Sequence, residues 1–371
     1  MTVRLTLDVW LDGVDRPAGT LDAMDDASLR FRYDPVWLDR TPRALSLSLP
    51  LGAAPIGDAV ARAFFGNLLP ENDQMRRVVE REGLDRDDIV GILAHVGADC
   101  PGAISCLPAG SPPAKVPGVL ASDYRPLDEG EFAAIAEGLA DRGTLPAAMR
   151  DPSPVAGVQR KIALVRLPDG RFALPRDGVR APTTHILKVP RRADANDALL
   201  EDAACRMASA VGLQASRSTH VPIEGVDALL IERFDRIVAD GTVYRVHQED
   251  FAQALGLPAG LKYERSGGQG GRFDAAAIRA LLRRVAHPAQ AVEAFLLVTI
   301  FNLAIGNNDN HAKNHALLYD AAGTPTLAPF YDLLPVRLQD RFTADLAFRI
   351  GDATHFDDME RDDLAGFFAT F

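Results

Sequence analysis

At 371 residues, 47% hydrophobic and 25% charged, the chain has the length for two or three domains and the make-up of an ordinary soluble globular protein. Its formal net charge of −11 argues against a generally basic nucleic-acid-binding surface. Cys100, Cys106 and Cys205 fall in no metal or disulfide framework and point to a reducing compartment. The N-terminus lacks the layout of a signal peptide. The longest apolar run, 291–306, carries Glu293 and Asn302 and reads as too short for a bilayer span, so a cytoplasmic location without membrane contact is expected.

In chain order, residues 3–10 alternate polar and apolar, Asp12-Gly13 follows as a hairpin-type turn, and ALSLSLPL at 44–51 alternates again, predicting a small antiparallel sheet. From Asp58 the pattern turns helical, with a break at Asn67-Leu68-Leu69-Pro70, and a further helix is predicted at 86–95. AGSPPAKVP at 109–117 reads as a proline-rich linker. The first domain is therefore expected over 1–110, with a linker and connecting helix over 111–150. Short strands are predicted at 161–167, 171–174, 184–189 and 227–234, and a helix at 196–211 closed by Gly212. A small sheet crossed by one helix, 151–236, is the make-up of a kinase nucleotide lobe. Residues 237–371 read as mostly helical, the strongest segments being 273–285 and 289–304.

The chemistry concentrates in FNLAIGNNDNHAKN at 301–314 and PFYD at 329–332. Asp309, Asn314 five residues on and the distal Asp332 are the polar set of a phosphoryl-transfer enzyme. One carboxylate orients the attacking hydroxyl, while an amide oxygen and a second carboxylate hold magnesium. A solvated loop would explain residues 307–310, but not the spacing to Asn314 or the Tyr331-Asp332 pair. Lys313 is a candidate for steadying the transferred phosphoryl. His311 reads as a structural or nucleotide-contacting residue, and a metal-ligand role with Asp309 lacks a second His or Cys at suitable spacing. Lys188 interrupts the otherwise apolar strand THILKVP, where a kinase places the lysine that grips nucleotide phosphates, and Glu201 stands where its partner glutamate would. A solvent-facing lysine and an acidic residue placed for the helix dipole are the plainer readings. SPVAGVQRK at 153–161 has one glycine and is by itself an ordinary turn before a strand. The glycines of 267–271 read as a flexible loop.

With these residues in view, the chain resembles the HipA family, serine/threonine kinase toxins of bacterial type II toxin–antitoxin pairs. RALSLSLPL and FFGNLLPE resemble its N-terminal domain; VAGVQRKIALVRL, PTTHILKVP, ALLIERFDR, QEDFAQALGLPAGLKYE, IGNNDNHAKN and LAPFYDLL resemble successive blocks of its kinase domain. The resemblance implies an α+β, protein-kinase-like bilobal fold with a cleft for ATP and Mg2+. It implies that Ala156, Gly157, Val158, Gln159, Arg160 and Lys161 approach the nucleotide phosphates and that Lys188 binds them. Glu232, Arg233 and Phe234 would form the hinge through their backbone. Asp309 would be catalytic, and His311, Asn314, Tyr331 and Asp332 would surround nucleotide and magnesium, with Asn314 and Asp332 as metal ligands. The implied partners are a protein substrate such as an aminoacyl-tRNA synthetase and a helix-turn-helix antitoxin, with DNA reached only through the antitoxin.

Two departures stand out. Familiar members carry a serine directly before the VAGxQ block, whose autophosphorylation ejects that loop; here Pro154 occupies the position and Ser153 lies one step upstream. The family's chains also run on for several helices, so a shortened C-terminal lobe with an exposed apolar end, HFDDMERDDLAGFFATF, is expected. The competing readings are a non-catalytic nucleotide- or antitoxin-binding scaffold and a small-molecule or lipid kinase on the same fold.

Overall fold

The computed structural model describes residues 2–70, 72–113, 116–146, 149, 160–268, 271–339 and 341–371. The N-terminal domain is built on an antiparallel sheet in the spatial order Leu29–Tyr33, Gly19–Met24, Val3–Leu11, Ile104–Pro108. Alternation puts Leu7, Val9, Leu21, Phe31 and Tyr33 on one face, where helices Asp58–Gly66 and Ile89–Val96 cover them.

The 44–51 segment is not the strand its alternation predicts. It forms only an isolated Ser46–Leu49 bridge. Its period of two has another cause: Leu45 and Leu49 enter the N-terminal core while Leu47 packs on the core of the last lobe. The segment is a seam between domains.

The next unit is a six-stranded antiparallel sheet in the order Ser218–Ile223, Val226–Glu232, His185–Lys188, Lys161–Arg166, Phe172–Pro175, Tyr124–Pro126. Helix Glu129–Arg142 has a capping box from Asp128 and Glu131 and ends at left-handed Gly143. It buries Ile135, Ala136 and Leu139 against Ile162, Leu164 and Leu187. The 111–150 segment is thus more than a linker, since it supplies an edge strand and a covering helix. Helix Asn196–Ala210 lies on the opposite face, where Ala198 meets Ile186, Leu229 and Ile231.

The last lobe gathers around Phe251, Phe273, Phe295, Phe348 and Phe367. It is less helical than its sequence suggests: Gln248–Asp250, Ala316–Tyr319 and Pro325–Leu327 form one sheet and Asp345–Ile350 with Ala353–His355 another. All but Asp345–Ile350 are three or four residues long, too short for alternation to register. Helix Pro288–Ile305 is long and apolar enough to span a bilayer by length and composition alone, which corrects the reading of its apolar run as too short. Here Phe295, Val298, Thr299 and Asn302 are buried within the lobe. The C-terminal apolar end is not exposed either, because Phe371 lies 5.7 Å from Phe295 and Phe367 lies 5.8 Å from Phe348, centroid to centroid.

Polar contacts join the N-terminal domain to the rest. The fully buried Arg245 guanidinium donates to the carbonyls of Cys100, Gly102 and Ile104. The buried Glu249 carboxyl accepts from Ser46 Oγ at 2.5 Å, from Leu47 N at 3.0 Å and from the Tyr319 hydroxyl. Burial, with Asp250 adjacent, pushes Glu249 up to about 7. An acid raised in the folded state is fully stabilising below its unfolded pKa, and that contribution is lost as pH rises through the folded value. Glu249→Gln, which keeps an acceptor for Leu47 and Tyr319, should therefore match wild type near pH 4.5. Its melting temperature should exceed wild type progressively up to pH 7, by the equivalent of at most about 3 kcal/mol. Thermal denaturation against pH checks this, and a pH-independent difference would contradict it.

Candidate active site

Strand alternation decides which way Lys188 points. Leu187 and Val189 face the covering helix, so Lys188 takes the other face, in register with Lys161 and Leu229 on the flanking strands. There its ammonium lies 2.7 Å from Glu201 Oε1 and 2.5 Å from Asp332 Oδ1. The lysine does not face solvent; only 11% of its side chain is exposed. The two carboxylates hold it protonated well above the ordinary lysine range despite burial. Lys188 and Lys161 together hold Asp332 down at about 2, whereas burial wins at Glu201 and pushes its carboxyl upward.

Asp332 sits at φ 60°, a left-handed conformation uncommon outside glycine and better tolerated by Asp than by most residues. Leu334 N and Asn307 Nδ2 donate to its carbonyl at 3.0 and 3.3 Å. The carboxylate is left aimed into the cleft, with 35% of the side chain exposed.

Opposite, helix Pro288–Ile305 stops at Gly306 (φ 75°), whose N–H returns to the Asn302 and Leu303 carbonyls. A Cβ there would come within 3.0 Å of Arg337 Cβ. The residues that follow are not a solvated loop. Asn307 Nδ2 donates to Asn302 Oδ1 at 3.0 Å, and Asn308 Nδ2 to the Thr343 and Asp345 carbonyls at 2.8 and 2.7 Å. Both asparagines are buried.

Asp309 Oδ1 accepts from the Tyr263 hydroxyl at 2.7 Å. Burial raises the Asp309 carboxyl, and that hydrogen bond opposes the rise. Arg265 stands over the Tyr263 ring at 4.1 Å and the His311 ring meets it edge-on at 5.1 Å. Burial lowers His311 to about 3, so it is neutral at physiological pH. Asn314 Nδ2 donates to the Asp309 carbonyl at 2.9 Å, closing the loop on itself. Lys313 extends its ammonium to Asp250 at 3.0 Å and Asn67 Oδ1 at 3.1 Å.

A cavity of about 660 Å³ runs between these groups. It is lined by Arg160, Lys161, Lys188, Glu201, Glu232, Arg233, Phe234, Asp309, His311, Lys313, Asn314, Tyr331 and Asp332, so every described candidate residue borders one space. Ser153, Ala156, Gly157, Val158 and Gln159 lie outside the described residues. Some side chains do structural work. The Arg160 guanidinium caps the Leu139 and Ala140 carbonyls at the end of helix Glu129–Arg142. Arg233 makes a buried two-pronged pair with Asp235, both bonds 2.9 Å. Tyr331 donates to the Lys313 carbonyl at 2.8 Å and tilts against Phe234 at 5.6 Å. Tyr263 is the residue that sequence reasoning missed; it lies in the LKYE block, but no spacing rule ties it to Asp309.

The model of the HipA N-terminal domain matches residues 7–107, and that of the HipA-like C-terminal domain matches residues 153–369. The chain belongs to the HipA family. It is 38% identical to the putative kinase Y4mE of Sinorhizobium fredii over 98% of this chain and 84% of that one. It is 30% identical to the serine/threonine-protein kinase toxin HipA of Shewanella oneidensis, over 94% and 79%. The solved Shewanella HipA, in complex with HipB and operator DNA, superposes with a TM-score of 0.81 at 26% identity, covering 98% of this chain and 84% of that one. The protein is thus a kinase of the HipA family with the bilobal α+β architecture expected of it. Kinship with kinases implies nucleotide use.

Removing Glu201 leaves Lys188 with Asp332 as its one carboxylate of this pair, which frees the ammonium to swing. Glu201→Ala should weaken nucleotide binding by about tenfold, the scale set by lost positioning around a phosphate-binding charge. Calorimetric titration checks this, and unchanged affinity would remove Glu201 from the site.

Proposed function

We propose that the protein is an ATP- and magnesium-dependent serine/threonine protein kinase, the toxin of a toxin–antitoxin pair. The observation that carries this reading is Lys188 held between Glu201 and Asp332, on a cleft that Asp309 and Asn314 also line.

The donor set fits magnesium. Asp332 is an ionised carboxylate, Asn314 has its amide nitrogen tied to Asp309, and magnesium takes few protein oxygens beside phosphates and water. Among the described residues no cluster of three or more His, Cys, Asp or Glu suits a metal held by protein alone, in keeping with a cation shared with a nucleotide. Asn314 and Asp332 would hold it, and bound there it would neutralise charge on the phosphates.

Lys188 then presents its ammonium to the nucleotide phosphates, and Lys161, its neighbour in register, adds a second positive charge. The hinge 232–234 offers backbone groups to the base. Asp309 accepts the hydroxyl hydrogen of the incoming serine or threonine, orients the oxygen for in-line attack, and takes the proton as the oxygen–phosphorus bond forms and the bond to the leaving diphosphate breaks. Lys313, with its ammonium on Asp250 and Asn67, supports the loop and adds positive potential beside the reacting group.

The phosphorylated protein is translation-related, an aminoacyl-tRNA synthetase being the model substrate, and growth arrest is the outcome. A helix-turn-helix antitoxin holds the kinase and makes the contact with operator DNA, as the composition of the Shewanella complex suggests by analogy. Ser153 is the candidate for autophosphorylation in place of a serine at Pro154.

Asp309→Asn keeps the loop geometry and removes the proton acceptor. It should lower ATP-dependent phosphorylation of bacterial extract proteins by about a hundredfold or more and abolish growth arrest on expression, with a melting temperature close to wild type. Equal labelling and equal toxicity of the two proteins would overturn the kinase assignment. Phosphopeptide mapping after incubation with ATP should place phosphate on Ser153.

A further inference from the structure

The N-terminal domain also borders the cleft, and one of its residues there, Asn67, touches the loop that carries Asn314. Asn67 follows helix Asp58–Gly66, in the FFGNLLPE block, and is 2% exposed. Its amide nitrogen donates to two carbonyls, Ala63 and Leu257, each at 2.8 Å. That pair of acceptors fixes which end of the amide is oxygen. Oδ1 therefore faces Lys313, whose ammonium stands 3.1 Å away and is 3.5 Å from the Asn67 backbone carbonyl, so the side-chain oxygen is the nearer of the two acceptors. The same ammonium meets Asp250 Oδ2 at 3.0 Å. Asp250 is itself immobilised, because its other oxygen caps helix Phe251–Leu255 through Gln253 N at 2.8 Å. Lys313 is thus pinned by its side chain to two rigid elements, one in each domain, and by its carbonyl to Tyr331. Asn314 is the next residue, within the same short turn Ala312–Asn314.

We propose that Asn67 is a positioning residue for the metal-binding end of the catalytic loop: through Lys313 it sets the placement of Asn314. The inference rests on the reading of Asn314 and Asp332 as magnesium ligands. It gives the N-terminal domain a part in the chemistry, because the oxygen that holds the lysine belongs to that domain. The plainer account is that Asn67 ends its helix and glues two domains together. That account predicts general loosening, whereas positioning of a ligand predicts a change in metal dependence alone.

The test uses the full chain and a fluorescent ADP as the probe, titrated at a series of magnesium concentrations and in EDTA. Asn67→Leu should raise the magnesium concentration giving half-maximal affinity by about tenfold, the low end of the range for residues supporting a metal ligand. Affinity in EDTA should stay within about twofold of wild type on the same grounds, since the metal-free contacts are untouched. Arg284→Ala breaks a different interdomain hydrogen bond, to the Leu47 carbonyl at 2.8 Å, and should behave as wild type. An unchanged magnesium response in Asn67→Leu, equal losses with and without metal, or an Arg284→Ala response matching Asn67→Leu would each overturn the proposal. If Asn67→Leu fails to fold, Asn67→Ala, which also removes the side-chain oxygen facing Lys313, is read the same way. Asp332→Asn, run alongside, separates the two levels: a wild-type magnesium response lost in Asp332→Asn but retained in Asn67→Leu sinks only the Asn67 role. A response absent from wild type sinks the metal site and this inference together.

Discussion

The fold depends on one buried cation. An ammonium taken out of water is costly unless carboxylates replace its hydration, and removing one partner of such a buried pair costs about 3–5 kcal/mol. Lys188 has two partners, and they come from different parts of the chain: Glu201 from the helix that follows its own strand, and Asp332 from beyond the hairpin in the other lobe. Satisfying the lysine therefore closes one lobe on the other. The two carboxylates differ in consequence. Glu201 is almost wholly buried beside the lysine, whereas Asp332 keeps part of its surface in the cleft, where a cation or phosphate-bound ion can compete for it. The strained backbone at Asp332 makes sense in that light, since an unstrained residue could relax away from the lysine, and the hydrogen bonds at its carbonyl prevent this.

The same logic extends to the N-terminal domain. Its seam with the rest of the chain is buried and polar: the Arg245 guanidinium on three carbonyls, the Glu249 carboxyl on Ser46, Leu47 and Tyr319, and His247 on the Leu45 carbonyl at 2.8 Å. Apolar seams tolerate small slips, because dispersion and hydrophobic burial are not directional. Hydrogen bonds to buried charged groups are directional, and leaving one unmade costs more than making it gains. Such a seam fixes one docked position. That rigidity allows Asn67 to act on Lys313 at all, for a domain free to shift by an ångström could not hold an ammonium at hydrogen-bond distance.

What sequence made legible follows from how local each signal was. The period of two in THILKVP correctly marked Lys188 as the exception on a buried strand, and its face follows from the apolar residues on either side. The Asp309, Asn314 and Asp332 set was legible because its spacing is a property of the chain. Tyr263, Asp250 and Asn67 were not, because each meets the loop 307–314 only through tertiary structure, and Tyr, Asp and Asn all have commoner uses as core, cap and turn residues. The alternation at 44–51 was real but misassigned: two neighbouring cores sampled by one extended segment give the same pattern as a strand. Asn307 and Asn308 looked like turn formers, yet folding uses them as buried staples.

Those staples bear on how the site works. Catalysis by positioning gains from groups that need not reorganise when substrate arrives. The loop 307–314 meets that condition through its own hydrogen bonds: Asn307 to the preceding helix, Asn308 to the Thr343 and Asp345 carbonyls, Asn314 to the Asp309 carbonyl and Lys313 to both domains. Asp309 has one carboxylate oxygen engaged by Tyr263, which sets the plane of the carboxylate. With His311 kept neutral by burial, the imidazole adds no positive charge beside that carboxylate. In the proposed mechanism the base is thus defined as much by what surrounds it as by its own chemistry, and a protein hydroxyl entering the cleft would meet an acceptor already oriented.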